Sequence, residues 1–167
     1  MEFKIRAETL YNCSLERAFK APILGDVRKV HTGFGPMPAV TKTTNDENWG
    51  QIGSIKNIYA VKSLTFKGGE VSTDKVLERI ENKYWKLEVG NFKSWMLNIW
   101  KFTFEWTCTE IEPNKVQIHY DYTIHGKGIL FIPFQWLFAN VFYTRYMKHV
   151  LENVRKMAES NETFLYD

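Results

Sequence analysis

Residues 129–159 constrain the fold more than any other stretch. The run 129–143 has no charge; it lies between Lys127 and Arg145 and is interrupted only by Pro133, Gln135 and Asn140. A helical membrane span needs roughly 20 consecutive apolar residues, so this shorter run, with an amide near each end, argues against one. Pro133 is tolerable in a first helical turn, where its missing N–H costs nothing, and a helix is therefore predicted from about residue 132 to 159. Phe138, Phe142, Tyr146, Val150 and Val154, joined by Tyr143, Met147, Leu151 and Ala158, recur at three- and four-residue spacing and make one apolar stripe. Asn140, Thr144, Arg145, Lys148, Glu152, Arg155, Lys156 and Glu159 take the other face. At about 1.5 Å per residue, such a helix lies across a whole small domain. Its first half carries a surplus. Leu130, Phe131, Ile132, Phe134, Trp136 and Leu137 point in too many directions for one sheet to bury, so some of them line a cavity, meet a partner or face solvent.

The chain upstream reads as the sheet that receives this helix. Phe3, Ile5 and Ala7 alternate with Glu2, Lys4, Arg6 and Glu8, the period of a strand with one buried face. Ser14 caps a helix with Leu15, Ala18 and Phe19 on its apolar side, which Pro22 is expected to stop; a second short helix is expected over 23–30. Residues 31–48, with Gly33, Gly35, Pro36, Pro38 and a polar run, read as an exposed loop long enough to be a lid or binding loop. Strands are predicted at 51–61, 75–82 and 84–89, with a turn or bulge at Gly68-Gly69. Over 94–110, Met96, Trp100, Phe102, Phe104, Trp106 and Cys108 share one face. Beyond the Glu112-Pro113-Asn114 turn, Val116, Ile118, Tyr120, Tyr122 and Ile124 do the same. The result is a hairpin with an aromatic face, suited to packing a helix or holding a flat ligand.

Composition bounds the rest. A chain of 167 residues, 44% hydrophobic and 25% charged, fits a single domain over 1–167 with a full core. The net charge of +3 is too small and too scattered to imply nucleic acid as a partner. Cys13 and Cys108 have neither metal-type nor redox-type spacing, and reduced structural thiols are expected. Residues 1–10 carry charges throughout and contain no apolar signal core, which points to the cytoplasm. No metal and no cofactor is expected: His119, Asp121 and His125 share a strand face predicted to meet solvent, and His31 and His149 lie elsewhere. A nucleophile elbow and a phosphate-binding loop are both absent.

Strand, two short helices, an antiparallel run of strands and a long C-terminal helix is an order that resembles the START-like (helix-grip, SRPBCC) superfamily, which includes polyketide cyclase/dehydrase, lipid-transport and birch-pollen allergen proteins. Ser14-Leu15-Glu16-Arg17-Ala18-Phe19 is similar to that family's capped first helix. Trp49-Gly50-Gln51-Ile52-Gly53-Ser54-Ile55-Lys56 is similar to its second strand, Lys56 standing where Arg is common, and Val76-Leu77-Glu78-Arg79-Ile80 resembles the strand after the Gly turn. The resemblance implies an α+β helix-grip fold: a curved antiparallel sheet of about seven strands wrapped around the C-terminal helix, with a cavity for an apolar small molecule between them. The aromatic run 129–143 and the extended segment 31–48 depart from the pattern. A lipocalin-like barrel, the rival fold, lacks the paired helices of residues 14–30.

Three functional readings follow. The first is binding or transport of a hydrophobic, lipid-like or aromatic and polyketide-like molecule, contacted by Asn98, Trp100, Phe102, Phe104, Trp106, Tyr120, Tyr122, Phe138, Phe142 and Tyr146, with Lys56 a further polar tip. The second is an enzyme of the cyclase or dehydratase kind, a lyase or isomerase, with Glu78 or Tyr122 as catalytic candidates. Val76 and Ile80 flank Glu78 at period two and would carry it inward, although Leu77 could equally define the inner face. The third is an interaction protein in which Phe131, Phe134, Trp136 and Phe138, beside Arg145, Lys148 and Arg155, form a homodimer or membrane-surface patch.

Overall fold

The computed structural model describes residues 1–94 and 98–163. Met96, expected on the inner face of the aromatic hairpin, lies outside them. Among the described residues eight strands form: β1 (Glu2–Tyr11), β2 (Thr32–Phe34), β3 (Met37–Asn45), β4 (Ile55–Ala60), β5 (Gly69–Ile80), β6 (Tyr84–Gly90), β7 (Ile99–Glu112) and β8 (Lys115–Gly126). They make one antiparallel sheet in the order β1-β8-β7-β6-β5-β4-β3-β2. The sheet exceeds the expected strand count because much of 31–48 is not a loop. Its Thr-rich polar run is β3, next to the short edge strand β2, and its solvent-facing residues carry no apolar signal to announce it.

Two helices, α1 (Leu15–Leu24) and α2 (Val27–Val30), connect β1 to the far edge of the sheet. Ser14 accepts from the Arg17 N–H and caps α1 as expected, but Pro22 does not end the helix. A proline withdraws the N–H that would bond the carbonyl four residues back, here that of Ala18. That carbonyl instead accepts from Trp106 Nε1 at 3.2 Å, and the neighbouring Phe19 carbonyl accepts from Trp85 Nε1 at 2.8 Å. Two sheet tryptophans thus pin α1 to the concave face at its weakest turn, and the helix runs on to Leu24.

The C-terminal segment is helical from Ile129 to Glu159 but not uniformly. A 3-10 turn (Ile129–Phe131) leads into α3 (Ile132–Leu137), a π-helical turn (Phe138–Tyr143) and α4 (Thr144–Glu159). No helix among the described residues is long and apolar enough to cross a membrane. The wider π turn resets the phase of the stripe. Phe138 and Tyr143, five residues apart, both face inward at 4% exposure, whereas Phe142, placed inward by a regular helical period, is 39% exposed. Buried Tyr146, Met147, Val150, Leu151, Val154 and Ala158 then complete the inner face. Around α4 the Tyr11 hydroxyl donates to the Leu151 carbonyl (2.7 Å) and Asn153 donates to the Val30 carbonyl (2.9 Å). Arg17 Nε donates to the Ala158 carbonyl (2.7 Å), putting a cation and donors on the negative C-terminal end.

Candidate functional site

Between the concave face of the sheet and the helices lies a cavity with about 110 Å³ of room for water centres. A single water needs about 10–15 Å³ on that measure, so the space could hold on the order of ten waters, or one small ligand. Its walls are mostly apolar: Val71, Leu87 and Val89 from β5 and β6, Ile58 and Ala60 from β4, and Val150 and Val154 from α4. Aromatic side chains close one side. Phe102, Phe104 and Trp106 of β7 face the cavity with Tyr120 and Tyr122 of β8, and Tyr143 and Tyr146 cross to them from the helix. These rings pack on one another, with Phe104 stacked on Tyr122 at 5.5 Å and Tyr122 against Tyr143 at 4.9 Å. Burial and neighbouring phenols hold Tyr120, Tyr122 and Tyr143 well above the ordinary tyrosine pKa, so their hydroxyls remain protonated donors at neutral pH.

An acid and a base are set into this apolar lining. Lys56 of β4 and Asp74 of β5 are directly opposite in register and share the inner face. Lys56 is 1% exposed; its ammonium donates to the Ile23 carbonyl at 3.3 Å and lies 4.1 Å from the centre of the Trp49 ring. Burial pulls its pKa down to about 8, against the attraction of Asp74 and Asp26. Asp74 keeps some accessible surface, but it borders the cavity. Desolvation there pushes the carboxyl up to about 7, even though Lys56 opposes the rise. Among the described residues no hydrogen bond reaches the Asp74 carboxylate, while His31 Nδ1 pairs with the Tyr146 hydroxyl on the same cavity wall. Burial and the positive Lys56 lower His31 to about 4, leaving a neutral imidazole. Two groups that exchange protons near neutrality, in a site lined by hydroxyl donors, can orient a polar ligand atom or move a proton on it.

Of the residues singled out in the sequence, Phe102, Phe104, Trp106, Tyr120, Tyr122 and Tyr146 come together on the cavity wall, and Lys56 joins them. Asn98, Trp100, Phe138, Phe142 and Glu78 do not. Glu78 points outward and lies 3.6 Å from Lys86, because a bulge between Val76 and Glu78 breaks the alternation that would have carried it inward. A second bulge, between Ile99 and Lys101, turns Trp100 to the outer face, where it is 45% exposed between two lysines. Asn98 is exposed and donates to the Lys127 carbonyl (2.9 Å). Phe138 is buried behind Tyr143, with ring centres 5.6 Å apart. Asp74, His31 and Tyr143 are not among the ligand contacts expected from the sequence, although Tyr143 lies on the predicted apolar stripe. Extending the period-two pattern back from buried Val76 through Asp74 to Ser72 would have found the carboxylate.

No protein-family model matches the chain, and no curated protein matches it. Solved structures do. Ara h 8.0201 superimposes with a TM-score of 0.70 over 96% of this chain and 100% of its own, at 16% identity. The likeness confirms the helix-grip fold expected from the order of elements. Norcoclaurine synthase from Thalictrum flavum shares the helix-grip fold at a TM-score of 0.68 and 12% identity, over 97% of this chain and 96% of its own. A protein of unknown function from Staphylococcus aureus, SA2116, matches at 0.66 and 14%, over 96% and 98%. In the helix-grip frame of this chain, the cavity is the space between sheet and C-terminal helix. Identities this low fix the fold and leave the ligand to the site itself.

Proposed function

We propose that this protein binds a small hydrophobic molecule in the cavity between the sheet and the C-terminal helix. The observation that carries the reading is an apolar, aromatic-walled cavity with Lys56 and Asp74 facing each other in its lining. Ligand sites have this character, with large apolar area for affinity and a few convergent polar groups for orientation. In this reading a flat ring system lies against the Phe104–Tyr122 stack, with its polar atom toward Asp74 and the tyrosine hydroxyls. One structure of the similarly folded norcoclaurine synthase is a complex with a transition-state analogue, so this fold can carry a small-molecule site. Titration with a polarity-sensitive hydrophobic dye tests the reading. Saturable binding at one site is expected, and Ala60→Phe, which fills the cavity from β4, should weaken it about tenfold or more while costing about 1–3 kcal/mol of stability. Binding that survives Ala60→Phe unchanged in a folded variant would refute the location.

A second reading, an enzyme of the cyclase or dehydratase kind, is favoured by the placement of Asp74 beside Lys56, each shifted toward neutrality. Asp74 replaces Glu78 as the acid–base candidate, with Tyr122 as a donor to developing negative charge. If turnover of a bound ligand exists, Asp74→Asn should lower kcat by about 100-fold or more with little effect on binding. A variant with unchanged kcat would leave only the carrier reading.

A further inference from the structure

The outward side of the helical segment that starts at Ile129 inverts the usual amphipathic pattern. In α3, Gln135 is fully buried, while Phe134, Trp136 and Leu137 are 64%, 55% and 44% exposed. Two residues of the preceding 3-10 turn, Ile129 and Leu130, are exposed at 80% and 84%. Large apolar side chains on a protein surface are ordinarily scattered; a contiguous set marks a contact with something else.

The inversion is built into the fold. Gln135 Nε2 donates to the Lys127 carbonyl at 2.9 Å, and its side chain seats over Gly126, where an added Cβ would fall 2.2 Å from Oε1. Gly128, at φ +79°, turns the chain into the 3-10 segment in a conformation that favours glycine. With Gln135 held inward, Phe134, Trp136 and Leu137 have no inward position available. They project by construction.

The charge around this face has one sign. Residues 127–151 contain Lys127, Arg145 and Lys148 but no Asp or Glu. All three cations are exposed, and none joins an ion pair among the described residues. Trp100 adds an exposed indole, with Lys101 and Lys127 at 4.8 and 5.1 Å from its ring centre. Two acids on the adjoining strands are engaged, Glu88 by Lys101 (2.9 Å) and Glu2 by His125 (3.2 Å). Phe138 and Arg155, the other members expected for this patch, do not belong to it: Phe138 is buried and Arg155 is paired with Glu152 and Glu159.

We infer that this face docks on a membrane surface containing anionic phospholipid. Ile129, Leu130, Phe134 and Trp136 enter the boundary between headgroups and acyl chains, and Lys127, Arg145 and Lys148 meet the phosphates. Indole rings and lysine side chains, with apolar bodies and polar tips, suit that depth. A second copy of the chain is a poorer occupant, because a two-fold interface would press the same cationic rim against itself. This inference does not depend on the cavity binding a ligand.

Co-sedimentation with extruded vesicles tests it. The wild-type protein should pellet with mixed phosphatidylcholine–phosphatidylglycerol vesicles, remain in the supernatant with pure phosphatidylcholine, and lose binding as salt rises. Phe134→Ser or Trp136→Ser should cut partitioning about tenfold by removing one large apolar side chain from the boundary. Leu130→Ser, at the most exposed position of the patch, provides the same test if either of those variants fails to fold. Lys127→Glu combined with Arg145→Glu should remove the preference for the anionic lipid. Wild-type protein that stays in the supernatant with mixed vesicles overturns the inference. A concentration-dependent dimer abolished by Phe134→Ser, without vesicle binding, would instead give the face to a second copy.

Discussion

At the scale of single residues, the groups that stand out are buried Lys56 and, opposite it in register, Asp74, on a cavity wall where most positions are apolar. Their energetics can be read from pH. Between its ordinary value of 3.8 and about 7, folded Asp74 holds a proton that the unfolded chain has released, so its contribution to stability falls as pH rises across that window. Between about 8 and 10.5, unfolded Lys56 holds a proton that the folded chain lacks, so its contribution recovers as pH rises. His31, lowered from 6.5 to about 4, contributes with the opposite slope to Asp74 over that interval. The pair is therefore isolated by difference. Urea unfolding across pH, comparing wild type with Lys56→Met/Asp74→Asn, should show a wild-type minimum near pH 7–8 that the double variant lacks. Asp74→Asn alone should remove the fall in stability that this residue contributes up to about pH 7, and Lys56→Met alone the recovery above about pH 8, so that each limb of the curve is assigned to one residue. Matching pH curves for wild type and double variant would show that the pair titrates as if in water.

At the scale of elements, local signals were legible wherever they were strictly periodic. The aromatic alternation of β7 and β8 gave Phe102, Phe104, Trp106, Tyr120 and Tyr122 their shared face, and the spacing of Tyr146, Val150 and Val154 gave α4 its inner side. What stayed hidden were single-residue phase changes. Bulges at Val76/Glu78 and Ile99/Lys101 and the π turn at Phe138–Tyr143 each shift the side-chain phase, moving Glu78, Trp100 and Phe142 outward, and none has a distinctive residue type to mark it. Pro22 misled for another reason: the donor that rescues the Ala18 carbonyl comes from residue 106, beyond any local window. A double-mutant cycle tests that rescue. Trp106→Phe should cost about 1–3 kcal/mol for the orphaned carbonyl beyond its packing loss, and less in a Pro22→Ala background, where residue 22 regains its N–H. Equal costs in both backgrounds would mean that the indole contributes packing alone.

At the scale of the whole molecule, the sheet and the C-terminal helix enclose a cavity on one side of the helical segment and leave an apolar, cation-rimmed face on the other. The architecture was legible because element order and amphipathic faces survive errors of one or two residues at their ends. The ligand was not, because it depends on which side chains a bulge admits to the cavity. Burial pushes the Cys13 thiol up to about 11 and the Cys108 thiol up to about 12, so both stay protonated near neutrality. The most direct measurement is native mass spectrometry of protein purified from its own host, with solvent extraction and identification of whatever leaves the cavity. A single apolar molecule at one-to-one stoichiometry, absent from Ala60→Phe, is the expected result. A clean unliganded mass, with no thermal shift from a panel of lipids and aromatic polyketides, would contradict the binding function proposed for this cavity.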